Sequence, residues 1–173
     1  MQRIGARFEI VPAEVEEEED GDHDPEWMVR HNAELKASWV AERHPGRFVL
    51  GADTTVYIDN RVLNKPKDLD EARNMLKTLS SRTHIVYTGF SLQNKEVGLV
   101  ETLGVRSSVT FKELDDAKID RYFTIVNVLD KAGSYGIQEG AEIIIESFEG
   151  SHSNIMGLPL DETKELLSRH KLI

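Results

Sequence analysis

The sequence contains no cysteine, which excludes disulfides, thiolate zinc sites and a cysteine nucleophile. A surplus of positive charge is also lacking. Against 21 Lys and Arg stand 31 Asp and Glu, for a formal net charge of −10, so no basic excess is on hand to displace counterions from a nucleic acid backbone. A small anionic molecule would have to be met by a local group of Lys or Arg, or by a divalent metal, working against that field. Nowhere does an apolar run approach the roughly 20 residues of a membrane span, and Met1-Gln2-Arg3 is not followed by a secretory apolar core. These absences predict a soluble, cytoplasmic protein with neither nucleic acid nor membrane as a partner. No internal repeat and no linker interrupts the chain, and 173 residues with 39% hydrophobic content suit one ordinary domain that buries about two thirds of its extended-chain surface.

What is present is organised around Gly51-Ala52-Asp53-Thr54-Thr55 through Lys65-Pro66. The apolar run Phe48-Val49-Leu50 leads into a small-residue step and then a carboxylate, which predicts Asp53 at the carboxyl end of a buried strand, where ligands collect in α/β sheets. A second run, Thr54-Thr55-Val56-Tyr57-Ile58, follows at once. Asp59-Asn60-Arg61 then turns the chain, and Val62-Leu63 delivers Lys65 just before a φ-fixing proline. A carboxylate and an ammonium are therefore expected on one cleft. The plainer alternative is an Asp capping a turn and a solvated Lys.

Upstream, Arg7-Phe8-Glu9-Ile10-Val11 alternates as a half-buried strand does, up to Pro12. The acidic run Glu14, Glu16 through Asp20, Asp22 and Asp24 reads mainly as a solvated loop, in which one or two carboxylates could hold Mg²⁺. Asp24-Pro25 then starts a helix, with Asp as N-cap and Pro at the first helical position, and Pro45-Gly46 ends it near His44. Met28, Leu35 and Trp39, with Val29, Ala33 and Val40, form its apolar stripe. Lys36 lies at the stripe's edge, one turn from Asn32 and Val40, where its stem could pack while its ammonium reaches toward the cleft; taken alone, a solvated lysine is the plainer account.

Downstream, Asp68 or Asp70 caps an amphipathic helix with Ala72, Met75, Leu76 and Leu79 inward. A hairpin follows, from Ile85 to Leu92 and back from Val97 to Phe111 around Asn94-Lys95, and Thr88-Gly89 marks a bulge or a close backbone approach. A third helix is expected over about 115 to 125. Asp130 to Gln138 is a glycine-bearing curl suited to a ligand, although such turns form more often without one, Ile143-Ile144-Ile145 a buried strand, Gly150 to Asn154 a polar loop, and Asp161 to His170 a last helix.

In this order, Gly51-Ala52-Asp53-Thr54, Lys65-Pro66, Thr88-Gly89, Asp130-Lys131-Ala132-Gly133 with Tyr135-Gly136-Ile137-Gln138, and Gly157-Leu158-Pro159 strongly resemble the Maf family of nucleoside triphosphate pyrophosphatases, historically called septum formation inhibitors. The resemblance runs from about Gly5 to the C-terminus. It implies a single α/β domain of the Maf/ITPase-like kind, with a mixed, mostly antiparallel-extended sheet flanked by helices and a central ligand cleft. It also implies hydrolysis of a nucleotide between the α and β phosphates with Mg²⁺ or Mn²⁺, and a cytoplasmic homodimer.

Matched motif to motif, Asp53 takes the place of the general base, Lys36 and Lys65 of the lysines that meet the phosphates, and Glu16 of the acidic residue near metal and catalytic site, with Glu16 and Asp53 as the metal residues. Thr54 and Gln138 resemble the subgroup acting on dTTP and UTP. Members usually open with a strand and a Ser-x-Ser-Pro-Arg-Arg segment, whereas this sequence opens at Met1-Gln2-Arg3-Ile4-Gly5. The expectation is a domain over residues 1–173 that is N-terminally incomplete relative to the family, explained by a start further upstream or a truncation. The alternative expectation is a catalytically impaired homologue that binds a nucleotide or a protein partner in cell-division control.

Overall fold

The computed structural model describes residues 1–19 and 24–173. The elements run α1 (Pro25–Arg43), β1 (Val49–Ile58), β2 (Arg61–Leu63), α2 (Leu69–Leu79), β3 (Thr83–Asn94), β4 (Leu99–Phe111), α3 (Asp116–Phe123), α4 (Ala141–Ile144), β5 (Ile145–Glu149), α5 (His152–Ile155) and α6 (Leu160–Arg169), with single 3-10 turns at Gln2–Ile4 and Ala132–Ser134. The five strands form one sheet in the order β2-β1-β3-β4-β5, with antiparallel pairing of β1 with β2 and of β4 with β5. Together with the helices this is the mixed α/β class expected. Among the described residues no helix is long and apolar enough to cross a membrane.

The chain divides into two compact units, one of residues 1–53, 88–105 and 157–173, the other of residues 54–87 and 106–156. In the first, Asp24 caps α1 by accepting from the Trp27 N–H at 3.2 Å, and Pro25 stands in the first turn, where its missing N–H costs no helical bond. The helix lies against strands that carry a glycine at each approach. A Cβ on Gly51 would meet the Ala33 carbonyl at 2.5 Å and the Ala37 nitrogen at 2.8 Å, and one on Gly89 would run into the Val29 backbone. Gly89 is thus the close approach that Thr88-Gly89 signalled. A separate apolar cluster joins Phe90 and Leu92 of β3 to Leu166 and Leu167 of α6, with Met1, Ile4, Leu50, Leu99 and Leu103 around them.

In the second unit, β1 turns into β2 through Asp59 and Asn60, whose φ values of 52° and 58° are those of a two-residue hairpin turn matched to strand twist. Asp68 caps α2 through the Glu71 N–H at 2.8 Å. Val56, Leu76, Leu79, Val86, Val109, Phe111, Ile119, Tyr122 and Ile144 build the larger core.

Three expectations are corrected. Asp53 does not stand at a strand's end: β1 runs unbroken from Val49 to Ile58, because Gly51 to Thr55 contains no turn-forming step and its β-branched residues continue the strand. Arg7 to Val11 forms no strand, and Phe8, Ile10 and Val11 are 49%, 80% and 37% exposed. Alternation makes a strand only where a neighbouring strand and a core receive it. Ile143 and Ile144 close the helical turn α4, which follows Gly140 at φ 66°, and only Ile145 begins a strand. They are buried as the apolar face of a turn.

Candidate active site

The site is built on α1 and β1 within the first unit. Two residues along a strand return to the same face, so Asp53 shares with Gly51 the face turned to α1. The absence of a side chain at Gly51 brings the carboxylate within reach of the helix. Lys36 answers from α1: its Nζ donates to Asp53 Oδ1 at 2.8 Å. The Asp53 and Lys36 side chains are 13% and 22% exposed, so this contact is withdrawn from much of the screening that weakens surface pairs.

Two further residues complete the cluster. The extended acidic segment before α1 brings the Glu17 carboxylate to 2.6 Å from the same Lys36 Nζ. Asn32, one turn ahead of Lys36 and only 1% exposed, donates from Nδ2 to Asp53 Oδ2 at 3.1 Å. The same amide pairs with the backbone of Glu18, donating to its carbonyl at 2.9 Å and accepting from its N–H at 2.8 Å.

The electrostatics follow from this arrangement. Burial raises the proton affinity of Asp53 above the ordinary carboxylate range, opposed by the Lys36 ammonium and the Asn32 amide and assisted by the Glu17 anion. Burial also works against the charge on Lys36, yet two carboxylates on one ammonium outweigh it and hold Lys36 above its usual range. Lys36 is shared, so Asp53 receives only part of its compensation.

Of the residues singled out in the sequence, Lys36 and Asp53 are brought together. Glu16 is exposed, and its neighbour Glu17 makes the contact with Lys36. Asp20, Asp22 and His23 lie outside the described residues. Thr54, half-buried in β1, Lys65, exposed after β2 and just before the buried Pro66, and Gln138, exposed after the Ala132–Ser134 turn, all belong to the second unit. The sequence reading placed Asn32 beside Lys36 but gave it no role. Its one signal was an amide on a helix turn otherwise facing Ala33, Ala37 and Val40.

An oxygen-preferring cation suits this donor set. Glu17 and Asp53 both reach one ammonium and so present their carboxylates close together. Among the described residues no group of three or more His, Asp or Glu could hold a metal alone. Two carboxylates, with the remaining positions left to phosphate oxygens and water, is the pattern Mg²⁺ takes in nucleotide enzymes.

Comparison with known proteins identifies the family. Residues 1–170 match the family described as Maf-like protein. The dTTP/UTP pyrophosphatase of Syntrophus aciditrophicus (strain SB) is 44% identical over 167 residues, covering 96% of this chain and 82% of that protein. The protein of the same name from Myxococcus xanthus (strain DK1622) is 43% identical over 169 residues, covering 98% and 85%. That of Bacillus cytotoxicus (strain DSM 22905 / CIP 110041 / 391-98 / NVH 391-98) is 46% identical over 160 residues, covering 92% and 83%. With a match over nearly its whole length and relatives this similar, the chain belongs to the Maf-like protein family.

Proposed function

We propose that the chain is a nucleoside triphosphate pyrophosphatase acting on dTTP- and UTP-type nucleotides, which it cleaves to the monophosphate and pyrophosphate. The observation that carries the reading is the buried Asp53, its charge only partly compensated, seated on β1 against Lys36, in a chain 43 to 46% identical to several proteins named dTTP/UTP pyrophosphatase.

In the reaction a water oxygen attacks the α phosphorus, and the bond from that phosphorus to the bridging α–β oxygen breaks. Pyrophosphate carries away the bridging oxygen. A general base must take the water's proton, and a carboxylate raised toward the working pH by burial does so better than a solvated one. Asp53 is our base. Lys36 is positioned to exchange Glu17 for a phosphate oxygen, a move that keeps its charge paired with an anion throughout. Lys65 is the second phosphate-facing lysine of this reading, while Thr54 and Gln138 supply the preference for pyrimidine nucleotides. A neutral amide at Gln138 can both donate and accept at a base edge.

Glu17 and Asp53 would hold Mg²⁺ or Mn²⁺, with Glu16, one residue away, left in solvent. Such an ion supplies charge neutralisation for the departing pyrophosphate. Homodimer assembly and residence in the cytoplasm belong to the same reading. To test the function, the purified chain is incubated with dTTP, UTP, CTP and the purine triphosphates in Mg²⁺ or Mn²⁺, and pyrophosphate and monophosphate are quantified. Equal amounts of both products, greatest from dTTP and UTP, are expected. A folded chain that releases pyrophosphate from none of them overturns the reading.

A further inference from the structure

We propose that Asn32 is the positioning residue of this site, aiming the Asp53 carboxylate and pinning the acidic segment that carries Glu17 with one side-chain amide. The proposal rests on the reading of Asp53 as the base. It is motivated by the completeness of the amide's bonding in a fully buried place. A primary amide has two N–H donors and one carbonyl acceptor. Asn32 spends both donors, on Asp53 Oδ2 at 3.1 Å and on the Glu18 carbonyl at 2.9 Å, and its Oδ1 accepts from the Glu18 N–H at 2.8 Å.

That pattern leaves the amide one orientation. Turned over, it would set its oxygen against both the Asp53 carboxylate and the Glu18 carbonyl. The two oxygens of Asp53 are thereby divided, Oδ1 to Lys36 and Oδ2 to Asn32, so the carboxylate is clamped from two points one helical turn apart. Each oxygen keeps a lone pair for a water proton. On its other side, Asn32 treats Glu18 as a neighbouring strand would, pairing with both its N–H and its carbonyl, and this anchors the preceding residue, Glu17, on Lys36. A single side chain thus sets the base and its rival for the ammonium together.

The test uses the intact chain with dTTP and Mg²⁺. Asn32→Leu, close in volume and without polar atoms, is expected to lower kcat about ten- to a hundredfold, the loss typical of removing a group that orients a site residue, with KM changed less than about threefold. Asn32→Asp keeps the shape but faces Asp53 with a second carboxylate, and is expected to lose as much. Added to Asp53→Asn, either change should lower kcat by much less than it does in the wild-type background, because the part that acts through Asp53 is gone and only the hold on the Glu17 segment remains. Independently of turnover, amide exchange at Glu18 should quicken at least about tenfold in Asn32→Leu at a temperature where the variant remains folded. If Asn32→Leu fails to fold, Asn32→Ser, which keeps a donor but cannot span both partners, takes its place in each arm.

Unchanged kcat in the folded variants, or an equal loss with and without Asp53→Asn, overturns the proposal. Full activity of Asp53→Asn itself would instead remove the underlying reading of the base, a result distinguishable from either.

Discussion

Each unit buries a polar cluster, and the two handle charge in opposite ways. In the first, Asp53, Lys36 and Glu17 meet as ions, with Asn32 as the neutral member. In the second, His84 shares a 2.7 Å hydrogen bond with the Tyr135 hydroxyl, and both rings meet Phe111 edge to face. Burial there pushes the imidazole from its ordinary 6.5 down to about 4 and raises the Tyr135 phenol well above its usual range. A neighbouring tyrosine does similar work with no ion at all. Tyr122, pushed up to about 12 chiefly by burial, accepts from the Gly136 N–H at 3.0 Å and donates to the Gly136 carbonyl at 3.2 Å. The second cluster settles burial by becoming neutral and so fixes the shape of the curl from Lys131 to Gln138. The first keeps its charges in a partly dry place, which serves a reaction more than a fold.

The sharpest break in this comparison is Asp53→Asn, which removes the proposed base and leaves the packing. Pyrophosphate release should fall about a thousandfold while the melting temperature holds or rises, measured by a product assay beside thermal unfolding. Acid comes next and acts through the neutral cluster. His84 binds its proton more weakly folded than unfolded, so its contribution to stability is whole above about pH 6.5 and is lost as pH falls through about 4. At about 1.4 kcal/mol per pH unit, roughly 3 kcal/mol should disappear across that window. Urea titrations at pH 7 and pH 4 would register it, and His84→Phe should flatten the difference. Asp53 works with the opposite sign: its raised proton affinity gives a contribution present at low pH and lost as pH rises.

Tyr135→Phe sharpens the contrast at a smaller scale. His84 Nδ1 already has no partner among the described residues, and removing the hydroxyl orphans Nε2 as well. The expected cost is about 1 to 2 kcal/mol in urea unfolding. Smallest in energy is the paired comparison of Glu17→Gln with Glu16→Gln. The first should slow pyrophosphate release about tenfold, as the loss of one of two carboxylates on Lys36 warrants, and the second should leave it near the wild-type rate.

What could be read in advance was local chemistry. Asp24-Pro25 and Asp68 announce helix starts through bonds three residues long, the turns at Asp59-Asn60 and after Asn94 announce their hairpins, and Lys36 is joined to Asp53 through the family resemblance, the residues alone pairing Asp53 with Lys65. What stayed hidden depends on distant neighbours. The alternation of Arg7 to Val11 resembles that of a true strand until one asks what pairs with it. Three isoleucines in a row look the same whether a helical turn or a strand buries them. Among consecutive glutamates nothing marks Glu17 as the one that reaches Lys36. Asn32 reads as a lapse in an apolar stripe, since its partners lie 14 and 21 residues away in sequence.

Gly51 acts as a ruler for the site. Strand and helix touch there backbone to backbone, with only 2.5 Å from the place of a missing methyl to a helix carbonyl, so no compressible side chain takes up slack between the two elements. The length of the Asp53–Lys36 contact is thus a matter of main-chain geometry two residues upstream. Gly51→Ala would act as a shim, prising acid and amine apart while touching neither, and the tolerance of the reaction to misalignment could be measured by the thickness of one carbon atom.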